Sequence, residues 1–156
     1  MGKRFGKADF KQLKDLHKKF EKLDGKQIIE FYEAAAKELA ARLLGLVIPR
    51  TAVGQYSSGS GKVGGTLRRG WTNEKDIDFK SYAESLSVTS TGSSFVIEII
   101  NPVDYASYVE FGHRTPNHKG WVAGQFMLTI SEEELQAATP QILEKMIVGM
   151  FKDVFG

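Results

Sequence analysis

Residues 26–47 constrain this chain more than any other segment. Ile28, Ile29, Phe31, Tyr32, Ala35, Ala36, Leu39, Ala40, Leu43, Leu44 and Val47 recur at helical spacing and cover more than one face. A helix with so wide an apolar surface must be covered by a sheet or another subunit. Ala34–Ala36 and Ala40–Ala41 permit close approach and favour the helix. Asp24 stands where an N-cap is needed. Pro49 ends the run, and Ile48 before it is pushed toward extended geometry. The rest of the chain has to supply what covers this helix.

The other elements follow from their own patterns. Residues 9–23 place Phe10, Leu13, Leu16, Phe20 and Leu23 on one helical stripe with lysines between them. Residues 51–65 hold five glycines and three serines in fifteen positions and read as a long flexible loop, free to order against a partner. Strands are expected at 66–72, more weakly at 77–82, then at 84–91 and 94–101. Gly92-Ser93 joins the last two as an antiparallel hairpin. Ser131 to Glu134 matches a capping box, and Thr139-Pro140 begins a further helix whose stripe is Leu143, Met146, Ile147, Met150, Phe151 and Val154. The residues between, including Trp121, Val122, Phe126, Met127, Leu128 and Ile130, are expected on the body of the protein. Strands bounded by helices argue for an α+β fold, with an antiparallel sheet of about four strands packed against a long N-terminal and a C-terminal helix. The expected organisation is a basic helical arm over 1–25 and one domain over 26–156.

A chain of 156 residues can bury a core without staples. It has no cysteine, which excludes disulfides, thiolate metal sites and a cysteine nucleophile. No stretch approaches the ~18 consecutive apolar residues of a membrane span, and no apolar run follows the basic N-terminus as a secretory signal requires. Net charge is +2, unevenly spread. Of the 21 basic and 19 acidic residues, nine and four lie in residues 1–26, which leaves that segment at +5 and the remainder at −3. Such an arm either touches nucleic acid or an acidic protein face, or is simply a solvated helix face.

Tests for chemistry fail. Ser60-Gly61-Lys62 resembles the end of a phosphate-binding loop, but Tyr56 and Val63 occupy positions that need Gly and Ser or Thr. His113 and His118, with Glu110 three residues before the first, have no further strong ligand nearby and no helix to align them. No serine sits in a G-x-S-x-G elbow, and no acid/base pair stands out. The chain reads as a non-enzyme without cofactor or metal. Arg68, Arg69 and Trp71, next to Lys62, suit either nucleic acid or a protein partner.

The most specific stretch is Asn101–Thr115. It packs Tyr105, Tyr108 and Phe111 with Glu110 and Arg114 around the break at Gly112. Rings offer large contact area at low entropic cost, and charges beside them set register across a boundary. The other reading is a core-packed turn with a local ion pair.

Two segments together resemble tailed-phage neck proteins, the tail-component or tail-completion group of lambda-type phages, also found in contractile tails and phage-tail-like bacteriocins. The first is Gly65-Thr66-Leu67-Arg68-Arg69-Gly70-Trp71, the second Tyr105-Ala106-Ser107-Tyr108-Val109-Glu110-Phe111-Gly112-His113. Gly124-Gln125-Phe126-Met127-Leu128 and the closing helix follow, with Gln125 where Arg is common. Order and spacing agree over roughly 26–155. The resemblance implies a structural virion protein with no catalysis and no cofactor. It would assemble in the bacterial cytoplasm into a homo-oligomeric ring, hexameric or dodecameric, at the neck, collar or tail top. Its partners would be copies of itself and adjacent connector, tail-terminator, tail-tube or sheath proteins, with contact to passing DNA and none to membrane. The residues expected at those contacts are Leu67, Arg68, Arg69, Trp71, Tyr105, Tyr108, Glu110, Phe111 and Arg114. The alternative is a nucleic-acid-binding accessory module that uses the basic arm with Arg68 and Arg69.

Overall fold

The computed structural model describes Lys18, residues 21–91 and residues 94–155. The helix expected over 9–23 lies mostly outside these residues. The fold is α+β. Helix α1 (Gly25–Arg50) leads to two short helices, α2 (Thr66–Gly70) and α3 (Phe79–Ser85). Strands β1 (Thr89–Thr91) and β2 (Ser94–Val96) follow, then α4 (Ala106–Phe111), β3 (Gly112–Arg114), β4 (Trp121–Ala123) and the long α5 (Met127–Phe155). The four strands form two separate antiparallel pairs, β1 with β2 and β3 with β4, where the sequence suggested one sheet.

Helix α1 starts where its sequence says it should. The Asp24 carboxylate accepts from the Gln27 N–H at 2.7 Å, and the Gln27 side-chain oxygen accepts from the Asp24 N–H at 3.1 Å, a closed capping box. Leu44 and Val47 are fully buried on α1. Each contributes about 1.5–3 kcal/mol of transfer free energy. They meet Leu67 and Trp71 of the α2 segment, Tyr82 and Ala83 of α3, and Met127 at the start of α5, and together these make the core. α5 runs along one side of α1 and α3 along another, so the wide apolar surface is covered mainly by helices. The β1–β2 pair docks on α1 through Tyr32 and Phe95, whose rings stack at 5.0 Å.

Three expectations are corrected here. Residues 66–72 and 77–82 are helical at 66–70 and 79–85, not strands. Leu67 and Trp71, four apart, are both buried while Arg69 between them is exposed; on a strand all three would share one face, whereas a helix puts Leu67 and Trp71 together and turns Arg69 away. Phe79, Tyr82, Ala83 and Leu86 repeat that spacing. Asp78 caps α3: its carboxylate accepts from the Ser81 N–H at 3.0 Å and from the Ser81 hydroxyl at 2.7 Å. Those bonds hold the Asp78 carboxyl below the usual aspartate range, the backbone bond contributing most. The strands expected over 84–91 and 94–101 pair over only three residues each.

The C-terminal third is also simpler than its local signals suggest. One helix runs from Met127 to Phe155 through both expected starts. The Ser131 hydroxyl donates back to the Met127 carbonyl at 2.6 Å and accepts from Arg50 Nη1 at 2.8 Å. Glu134 accepts from Arg50 Nη2 at 2.7 Å. Thr139 donates to the Leu135 carbonyl at 2.7 Å and caps nothing. Pro140 sits inside the helix and supplies no N–H to the carbonyl one turn earlier.

The far end of α1 is closed by α2. Thr51 is fully buried. Its hydroxyl donates to the Val47 carbonyl at 2.7 Å and accepts from Trp71 Nε1 at 2.8 Å. The Arg68 guanidinium donates to the Thr51 carbonyl through Nε (3.0 Å) and Nη2 (2.6 Å), and to the Pro49 carbonyl at 3.3 Å. A cation therefore sits where the helix dipole is negative and where carbonyls lack intrahelical donors. Replacing Thr51 by Val should lower stability by about 1–3 kcal/mol, because the buried Trp71 N–H loses its acceptor. In urea denaturation, Thr51→Val combined with Trp71→Phe should cost less than the two single changes added together. Strict additivity would show that this bond is not what couples them.

Candidate assembly surface

The second sequence segment closes the other long helix. α4 turns at Tyr105 and points Glu110 inward, where it is only 5% exposed. Glu110 Oε2 accepts from the Leu128 N–H at 2.9 Å. Oε1 accepts from the Thr129 N–H at 2.8 Å and from the Thr129 hydroxyl at 2.6 Å. The backbone agrees, since Gln125 N–H donates to the Val109 carbonyl and Phe126 N–H to the Glu110 carbonyl. An acidic side chain thus occupies the N-terminus of α5, where free N–H groups and the positive end of the dipole favour it. Its oxygens are directed to α5 and not to Arg114.

Gly112 ends α4 in a conformation that only glycine adopts easily, φ 87° and ψ 173°. A Cβ there would lie 2.5 Å from the Val122 carbonyl oxygen, so β3 and β4 can close only over a glycine. The turn sets the register Gly112–Ala123, His113–Val122 and Arg114–Trp121.

With Glu110 directed inward, the rings of α4 are left outside. Tyr105 and Tyr108 are exposed, and Phe111 is 62% exposed. Trp121, also 62% exposed, lies across Gly112, and Val122 and Phe126 are exposed beside it. Phe111 meets Phe126 edge-on at 6.4 Å, and Tyr108 lies 5.7 Å from the His113 ring. The result is an aromatic face on two short, tightly held elements. Exposed apolar clusters of this kind mark contact sites, and aromatic rings dominate such sites energetically.

The residues expected at contacts therefore fall into two groups. Leu67, Trp71 and Glu110 are buried within the chain. Arg68 is half-buried on the end of α1, and Arg69 donates to the Gly64 carbonyl at 3.0 Å and to the Thr66 hydroxyl at 3.3 Å. Tyr105, Tyr108, Phe111 and Arg114 are on the surface. The two segments also meet: Asn101 Nδ2 donates to the Leu67 carbonyl at 2.8 Å, and a Cβ on Gly70 would come within 2.2 Å of Asn101 Oδ1. Trp121, Val122 and Phe126 had been placed on the body of the protein, yet they extend the exposed face. The available signal was Gly112, since a glycine that closes a hairpin brings β4 alongside α4. Among the described residues no three His, Cys, Asp or Glu side chains could hold a metal, and no helix is long and apolar enough to cross a membrane.

The model of the HK97-gp10-like family, described as "Bacteriophage HK97-gp10, putative tail-component", matches residues 14–112. The chain belongs to this phage tail-component family. No curated protein and no solved structure matches it significantly. The match covers the first segment and the second as far as Gly112, the residue that turns the chain into β3. A tail component is a structural part of a virion and works among other tail proteins, and enzymatic activity is not typical of such a family.

In this tail component, Glu110→Ala should destabilise the fold by about 2–4 kcal/mol, because it strips two backbone donors of their partner at a buried helix start. Tyr108→Ser should change stability by less than about 0.5 kcal/mol. Thermal melts of the two variants check the contrast, and equal losses would contradict the division between buried and exposed residues.

Proposed function

We propose that this chain is a ring-forming component of the neck or collar, or of the ring that terminates the tail, at the head–tail junction or tail top of a tailed phage or tail-like particle. The observation that carries the reading is the aromatic face of Tyr105, Tyr108, Phe111, Trp121, Val122 and Phe126. It is exposed on elements whose backbone is fixed by a buried cap and a closed hairpin. Rigid rings on a preformed support lose little entropy on binding, which suits a surface meant to hold another protein. Arg114 at the edge of the face supplies orientation more than affinity. The face meets other copies or adjoining tail parts, and head-to-tail contacts that close produce a ring. The chain would therefore reside in the virion at the neck or tail end.

The test is complementation of a phage that lacks this protein. A Tyr108→Ser/Phe111→Ser double variant should fold normally, as judged by its melting temperature, yet yield few completed particles and many unjoined heads and tails. Wild-type particle yield from a folded double variant would overturn the assignment of this face.

A further inference from the structure

Just before the first of the two segments the chain makes a projecting finger, and next to the β1–β2 hairpin it leaves a groove of complementary character. The finger is Gln55–Val63. Its base is pinched, because the backbones at Gly54 and Gly64 touch so closely that a Cβ on Gly64 would fall 1.9 Å from the Gly54 oxygen. Arg69 anchors that base through the Gly64 carbonyl. The tip turns through the Ser60 N–H to the Ser57 carbonyl at 3.2 Å. Residues 52–63 are all exposed, and Val63 is 76% exposed, the highest among the large apolar residues described. Lys62 is the only charged residue in 51–65. A loop with drawn-together ends and outward apolar side chains is built to meet something.

The groove lies where β1 and β2 diverge. Pairing stops at Thr89 and Val96, yet Ile97 to Ile100 continue with the alternation of a strand: Ile97 and Ile99 half-buried, Glu98 and Ile100 exposed. The backbone of that stretch enters no ladder among the described residues. A two-stranded hairpin alone is marginal, and an unpaired strand edge is a template for an added segment. The cleft measures about 750 Å³ and has Leu43, Leu86, Ile97 and Leu128 in its walls. Its charged lining residues are Glu98 and Glu132, both acidic.

We propose that the finger of one copy seats in this groove of the next, with Val63 on the apolar walls, Lys62 facing Glu98 and Glu132, and finger backbone along the edge of Ile97–Ile100. The proposal rests on the ring-forming reading above and names the two unlike surfaces that a head-to-tail contact requires.

The absence of cysteine makes the test direct. Val63→Cys and Thr89→Cys proteins, mixed and oxidised, should give a covalent dimer on a non-reducing gel. Val63→Cys mixed with Val148→Cys should not. Lys62→Glu should weaken self-association in sedimentation roughly tenfold or more, since it sets like charges against each other. Adding Glu132→Lys to the same chain should restore it. A cross-link confined to a monomeric Val63→Cys/Thr89→Cys double variant would show the finger folding onto its own groove and would overturn the proposal. Thr89→Cys cross-linking to a different tail protein in assembled particles would also overturn it. Self-association indifferent to Lys62 and without the mixed cross-link would sink this contact and leave the ring standing. A protein that stays monomeric at every concentration, with and without tails, and gives no cross-link would end both.

Discussion

A helix of 26 residues and one of 29 leave several carbonyls and several N–H groups without intrahelical partners, and here both awkward ends fall in the middle of the fold. The chain meets this constraint with side chains brought from far along the sequence. Arg68 and Thr51 close the carbonyl end of α1, and Glu110 closes the N–H end of α5. Each charge has the sign that the adjacent dipole favours. Arg50 then ties the two ends together through Ser131 and Glu134. The same logic recurs in miniature, where Lys37 on α1 donates to the Glu84 carbonyl near the end of α3 at 2.8 Å. Much of the core is organised between these polar closures. Met127 is buried beside the Glu110 cap, and Leu67 and Trp71 are buried beside the Arg68 cap.

This arrangement explains why the two most distinctive sequence segments do double work. Each is a short helix with too few turns to be stable alone. Each gains its stability by docking a polar side chain onto a long helix and an apolar one into the core. What remains outward is then free for contact: on α4 the rings, beside α2 the finger. Charge plus aromatic in a short segment suggested a surface site, and on α4 it is one, but the carboxylate in it serves the interior.

The sequence was most legible where signals were local. The long helix α1, its Asp24 cap, the β1–β2 hairpin and the α+β class all follow from periodicity and turn chemistry within a few residues. The segment Tyr105–His113 was recognisable as special from its residues alone. What escaped was non-local. The start of α5 at Met127 is set by Glu110, which no window around Ser131 reveals, so the local capping box at Ser131–Glu134 pointed five residues too late. Residues 66–72 resembled a strand because Thr, Gly and Trp are poor helix formers, and bonds to Thr51 and Asn101, both distant in sequence, help hold the segment in place as a helix. Trp121 and Phe126 were expected on the body of the protein, and the hairpin closed over Gly112 leaves them exposed beside α4.

The inward turn of Glu110 has a consequence for how such a protein can change over time. Positions 105, 108 and 111 recur every three residues around the outside of α4, while 110 is buried and 106 and 109 pack against the core. Drift at the outward positions can retune which neighbour is gripped without disturbing the interior. An exchange at 110 instead strips the Leu128 and Thr129 N–H groups of their acceptor, and because those donors are backbone no side-chain change at 128 or 129 makes the loss good. Partner choice and structural integrity are thus inherited separately within a single six-residue helix.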